Sequence, residues 1–128
     1  MEQKAKIVCL CGSTRFHDAY VEANFQESMA GNIVLSCGVF GHTIHSDRPM
    51  TTHQKAQFDI LHRRKILLAD EILVINVDGY IGDSTRLEIE FAEAKGKFVR
   101  YWESFYPRTA MDDVNELRKE RRDSEVDQ

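Results

Sequence analysis

The chain has 128 residues, 42% of them hydrophobic, and a net charge of −4 from 17 Lys or Arg against 21 Asp or Glu. That length suits one domain with a real core, and the acidic balance argues against a nucleic-acid polymer as partner, since phosphate-tracking surfaces are basic. No apolar run approaches the roughly 20 residues that span a bilayer, so no membrane partner is expected. The opening MEQKAKIV holds no signal-peptide core, and three cysteines (Cys9, Cys11 and Cys37) leave at least one thiol unpaired, which points to a reducing cytoplasm.

Lys6 to Cys11 reads as a buried strand, short and rich in Ile, Val, Leu and Cys, and Gly12-Ser13-Thr14 closes it. From Arg15 the pattern turns helical, with Phe16, Ala19, Tyr20 and Ala23 at three- and four-residue steps. Ser13 or Thr14 is the expected cap and Gly31 the stop. Ile33 to Ser36 is a second strand, followed by an irregular segment from Cys37 to Met50. Thr51 or Thr52 opens a long helix to about Ala69, whose Ala56, Ile60 and Leu67, with Phe58, Leu61 and Leu68 beside them, predict a wide buried stripe. Ile72 to Val77 is a third strand, continuous enough in aliphatic residues to be covered on both faces. Thr85 to Lys95 is the next helix, stopped by Gly96, and Phe98 to Trp102 the fourth strand. Asp112 to Arg122 reads as a charged helix, with residues 119–128 as a tail that frays.

This alternation predicts a single α/β domain over residues 1–118: a doubly wound, flavodoxin-like parallel sheet in three layers, with strand order about 2-1-3-4. The switch point then lies between strands one and three. It brings the CGSTR turn and the DGYIGDSTRLE turn to the rim of one crevice, where open sheets of this kind keep their ligands.

Glu88 follows the second turn, and a carboxylate there is placed to attack or stabilise an electron-poor carbon. Thr85-Arg86-Leu87-Glu88 also has the spacing of a capping box, in which the glutamate would only bond the helix start. Gly12, Ser13 and Arg15 on the first turn, with Gly82, Ser84 and Thr85 on the second, are the candidate contacts for an anionic ligand. His62 and Asp59, one helical turn apart, are the candidate proton carriers. Phe40, Tyr80, Tyr101 and Trp102 fall near strand ends, where an aromatic can stack on a base or simply pack. Cys9-x5-Arg15 matches the spacing of cysteine phosphatases, though Phe16 stands where those enzymes carry Ser or Thr. The spacings Cys9-x-Cys11 and His42-x-x-His45 fit no common closed zinc pattern.

CGSTR after the first strand, LLAD (Leu67–Asp70) before the third, and Glu88-x-x-x-Ala92 ahead of Gly96-Lys97 together resemble the nucleoside 2-deoxyribosyltransferase superfamily. Within it, the 2′-deoxynucleoside 5′-phosphate N-hydrolases are most similar, over roughly Lys6 to Val99. The resemblance implies a nucleotide-binding flavodoxin-like domain, homodimeric or larger, that cleaves the N-glycosidic bond of a nucleoside or its 5′-monophosphate. It implies Glu88 as the nucleophile at C1′, Ser13, Arg15 and the Ser84/Thr85 pair as phosphate contacts, and no metal or organic cofactor. This chain departs from the family pattern at Cys9, where the family often has tyrosine, at His62 in place of aspartate, and at Glu90 in place of glycine. Those departures motivate a further reading, a nucleotide-binding sensor without catalysis.

Overall fold

A computed structural model describes residues 4–103; the expected helix over Asp112 to Arg122 and the frayed tail lie outside them. The elements run β1 (Ile7–Gly12), α1 (His17–Met29), β2 (Ile33–Leu35), α2 (Thr52–Leu68), β3 (Glu71–Ile75), α3 (Asp83–Ala94) and β4 (Phe98–Tyr101), with a short 3-10 turn at Val77–Gly79. All three strand pairings are parallel and the order is β2-β1-β3-β4, a three-layer flavodoxin-like sheet.

The two-residue period of the strands sorts the core into two halves. Val8, Leu10, Leu73 and Ile75 face α1, whose Tyr20 and Ala23 pack there beside Phe40. Cys9, Cys11, Ile72 and Val74 face the opposite way, beneath Ile66 of α2 and Ile89 and Ala92 of α3. β3 is buried along its whole length, as its unbroken aliphatic run requires. It ends two residues earlier than expected. Asn76 leaves the ladder to accept the Glu103 amide (2.9 Å), and Asp78 then takes left-handed backbone angles (φ 54°) in the turn that follows.

The helix ends differ from the sequence reading in an instructive way. Thr51, one of the two threonines expected there, caps α2 through a capping box with Gln54. α1 instead starts at His17, with Phe16 at its cap, so neither Ser13 nor Thr14 serves there. α3 begins at Asp83 behind Gly82, and no side chain caps it, so Glu88 lies in the second turn and the Thr85–Glu88 capping box does not form. Gly31 and Gly96 stop α1 and α3 with positive φ (88° and 72°), as read.

The wide buried stripe expected on α2 is the largest correction. Its inward line is His62, Ile66 and Ala69, set at steps of four and three, with Ile66 and Ala69 wholly buried. Phe58, Ile60, Leu61, Leu67 and Leu68 are exposed (38–69%), and so is Ala56. The helix carries apolar residues almost all round, so the pattern alone did not say which face the sheet would take.

At the foot of the sheet, Glu71 is 4% exposed and is held by Arg100 (2.8 Å) and Lys6 (3.6 Å), with Arg100 also bonded to Glu27 of α1. The opposite end, where β1 finishes, depends on Gly12. Its φ is 154°, and a Cβ there would lie 2.8 Å from the Ile75 carbonyl oxygen, while its own carbonyl accepts the Tyr20 hydroxyl at 2.8 Å. Gly12→Ala should therefore lower stability by about 2 kcal/mol. Gly38→Ala, with open space around the new methyl, should change it little; equal urea midpoints for the two variants would contradict this reading of the strand end.

Candidate active site

Three elements converge beside the carboxyl end of β1. Along α3, Thr85, Glu88, Ile89 and Ala92 recur at helical steps and form the face turned to the sheet. Glu88 therefore points inward by the same geometry that buries Ile89. On α2, His62 stands one turn before Ile66 on the inward line. On β1, Cys9 and Cys11 share the face that α2 and α3 cover.

The side chains meet there. His62 Nε2 lies 3.6 Å from Glu88 Oε2 and 3.3 Å from Cys11 Sγ. Glu88 Oε2 is shut off from solvent and, among the described residues, accepts no hydrogen bond, its nearest charged neighbour being His62. A bare buried carboxylate oxygen is costly unless a charge or a ligand answers it. Burial raises the Glu88 pKa, and the His62 charge works against that rise. For His62, burial opposes the charged ring, yet Cys9 and Glu88 together hold its pKa above the ordinary histidine value. The Cys11 hydrogen bond lowers the Cys9 thiol to about 6, burial opposing and His62 assisting. The same hydrogen bond, with burial, pushes Cys11 well up. The result is a largely buried cluster of coupled titratable groups, of the kind that can act as nucleophile, base or acid.

The two turns are joined at the carboxyl ends of β1 and β3. Arg15 lies over the Tyr80 ring, 4.6 Å from its centre, and Phe16 meets the same ring edge-on at 5.8 Å. Gly82 admits the Tyr80 side chain, since a Cβ there would come within 3.3 Å of its hydroxyl. Ser13 Oγ accepts from Arg15 Nε (3.0 Å), so these two expected contacts form one unit. Thr14 meets His42, and the Phe40 amide donates to His45 Nδ1 (2.9 Å), so the loop after β2 folds over the first turn.

Other expected residues separate. Ser84 is exposed whereas Thr85 is 3% exposed, so adjacent hydroxyls point different ways. Asp59 is exposed, and among the described residues no ion pair joins it to His62. Phe40 packs between His17 and Tyr20, and Tyr80 takes up Arg15. Cys9 sits in mid-strand, paired on both sides with Leu35 and Ile72 and wholly buried. Leu10 to Gly12 continue the ladder with β3, which leaves no phosphate cradle between Cys9 and Arg15. An open groove of about 700 Å³ runs along α1 past Arg15, Phe16, Thr43 and Val77; Arg15 therefore borders a groove on the other side of the sheet from Glu88.

The reading of the sequence missed Cys11 as a neighbour of His62. The signal available was the strand period, which puts positions 9 and 11 on one face; the partner 51 residues later carries no local trace. Comparison with protein-family models, with curated proteins and with solved structures finds no match.

Because Glu88 helps hold the His62 proton, an NMR titration of the imidazole should place its midpoint above that of an ordinary histidine. Glu88→Gln should move that midpoint down. An unchanged midpoint in the variant would mean that the two groups do not share a field.

Proposed function

We propose that this chain cleaves the N-glycosidic bond of a nucleoside 5′-monophosphate or nucleoside, with Glu88 as the nucleophile. The observation that carries the reading is the Glu88 oxygen, buried and without a hydrogen bond among the described residues, next to a histidine that favours its charged form. The resemblance at Cys11-Gly12-Ser13-Thr14-Arg15 and at Glu88 supplies the substrate class.

In this reading Glu88 attacks C1′ of the sugar as the base departs through an oxocarbenium-like transition state. The bond from C1′ to the base nitrogen breaks, its electrons leave with the base, and His62 gives the proton that the base needs. Asp59, being exposed, is the weaker donor. A water molecule then releases the sugar from Glu88, or a second base does so and the reaction is a transfer. A negative charge beside the developing cation stabilises it far more in a pocket with little water than in bulk. Ser13 and Arg15, with the α3 start at Gly82 to Thr85, are the proposed seat of the 5′-phosphate. Its charge would meet free helix amides and a guanidinium already braced by Tyr80.

The exposed apolar side of α2 supports the homodimer that the resemblance implies, since such an area needs cover. Leu61→Glu should leave the fold intact and convert the dimer to monomer in mass-resolved chromatography. A wild-type chain that runs as a monomer would remove this part of the proposal.

Glu88→Gln should lower release of free base from a panel of nucleoside monophosphates by roughly a thousandfold, with an unchanged far-ultraviolet spectrum. Full turnover in that variant would overturn the mechanism, and inorganic phosphate as the product would favour a phosphatase. Tight binding with no product from any substrate would leave the sensor.

A further inference from the structure

We propose that Cys9, Cys11 and His62, with Glu88 as fourth ligand, form a binding site for a soft divalent cation of the zinc class. The two thiol sulfurs and the His62 ring nitrogen all lie within 4.8 Å of one another. A tetrahedral zinc site with sulfur at about 2.3 Å and nitrogen or oxygen at about 2.1 Å has ligand-to-ligand edges of about 3.4–3.8 Å. The measured edges approach that figure: 3.3 Å from Cys11 Sγ to His62 Nε2, and 3.6 Å from His62 Nε2 to Glu88 Oε2. Glu88 lies outside the group of three within 4.8 Å, so its carboxylate must turn toward the sulfurs to become the fourth ligand.

The fourth corner rests on an independent observation. Glu88 Oε2 is an acceptor with no hydrogen bond among the described residues, buried beside that nitrogen. A cation among the four groups would satisfy it directly. Each ligand stands on a regular element, β1, α2 or α3, which is the support that fixes coordination geometry. Two sulfurs and an imidazole select zinc-like ions over magnesium or calcium, whose preference is for oxygen alone. Cys9 and Cys11 are sealed in the core, but the side chains of His62 and Glu88 keep 13% and 22% exposure, so an ion can enter between α2 and α3.

The site shares Glu88 and His62 with the proposed glycosidic chemistry but does not rest on it. Coordination would occupy the oxygen needed for attack at C1′, so a bound ion should silence that reaction. A chain that binds the ion and cleaves nothing keeps this inference and loses the other; a chain that cleaves and ignores the ion does the reverse.

The test is a titration of the reduced, metal-stripped full chain with cobalt(II), read by its thiolate-to-metal charge-transfer band and its tetrahedral visible bands. The expected result is one ion per chain with two thiolates, displaced by one equivalent of zinc. Cys37→Ser should leave the spectrum unchanged, because that thiol is bonded to the Val39 carbonyl (3.0 Å) away from the cluster. Cys9→Ser and Cys11→Ser should each lose about half of the charge-transfer intensity. His62→Gln should keep the band and weaken affinity at least tenfold. Far-ultraviolet circular dichroism identifies any variant that fails to fold, and His62→Gln then carries the test. No charge-transfer band in the wild-type chain, or a band that survives both cysteine changes, would overturn the site.

Discussion

A carboxylate oxygen held out of water, with a histidine beside it and no hydrogen bond among the described residues, is the constraint around which this molecule is arranged. Glu88 faces inward because α3 must bury Ile89 and Ala92, and a helix cannot do that without turning position 88 with them. The sheet under it supplies sulfur where a core of this kind usually has only carbon. The neighbouring helix supplies an imidazole in place of an aliphatic chain. Each group in isolation would be an expensive thing to bury; together they exchange protons and offset one another's desolvation.

Such an arrangement is poor material for a core and good material for chemistry. An aliphatic residue at position 88 or 62 would pack against Ile66 and Val74 without any electrostatic penalty. The chain instead keeps its purely structural charges at the foot of the sheet, where Glu71, Arg100 and Glu27 interlock around the starts of β3 and β4. The end that carries Gly12, Tyr80 and Gly82 has tight backbone approaches, an edge-on aromatic pair and a guanidinium over the Tyr80 ring. These brace the two turns against each other. Rigidity at that rim is what would let a small anionic ligand be held in one pose.

Much of the architecture was legible because short aliphatic runs and well-placed glycines leave few alternatives. Ile72 to Ile75 has no reading other than a buried strand, and Gly31 and Gly96 mark helix ends by their backbone freedom. The strand order followed from the alternation of elements. What failed was orientation about a helix axis. α2 carries Phe58, Ile60, Leu61, Leu67 and Leu68 around most of its circumference, and the sheet takes the line that holds His62 and Ile66. The start of α3 failed for a related reason: Gly82 serves as cap with no side chain to advertise it, so Thr85 looked like the first capping residue. The site was half visible. Glu88 and His62 stood out singly, but that His62 meets both Glu88 and Cys11 depends on three elements meeting, which no local pattern encodes.

The account stands or falls on whether the Glu88 oxygen faces a bound sugar. A crystal structure of the Glu88→Gln chain soaked with a nucleoside 5′-monophosphate tests this directly. The prediction is C1′ at about 3–3.5 Å from the position 88 side chain, a near-attack distance, with the phosphate against Ser13, Arg15 and the start of α3. A nucleotide lying in the groove along α1, with its sugar on the far side of the sheet from position 88, would contradict it.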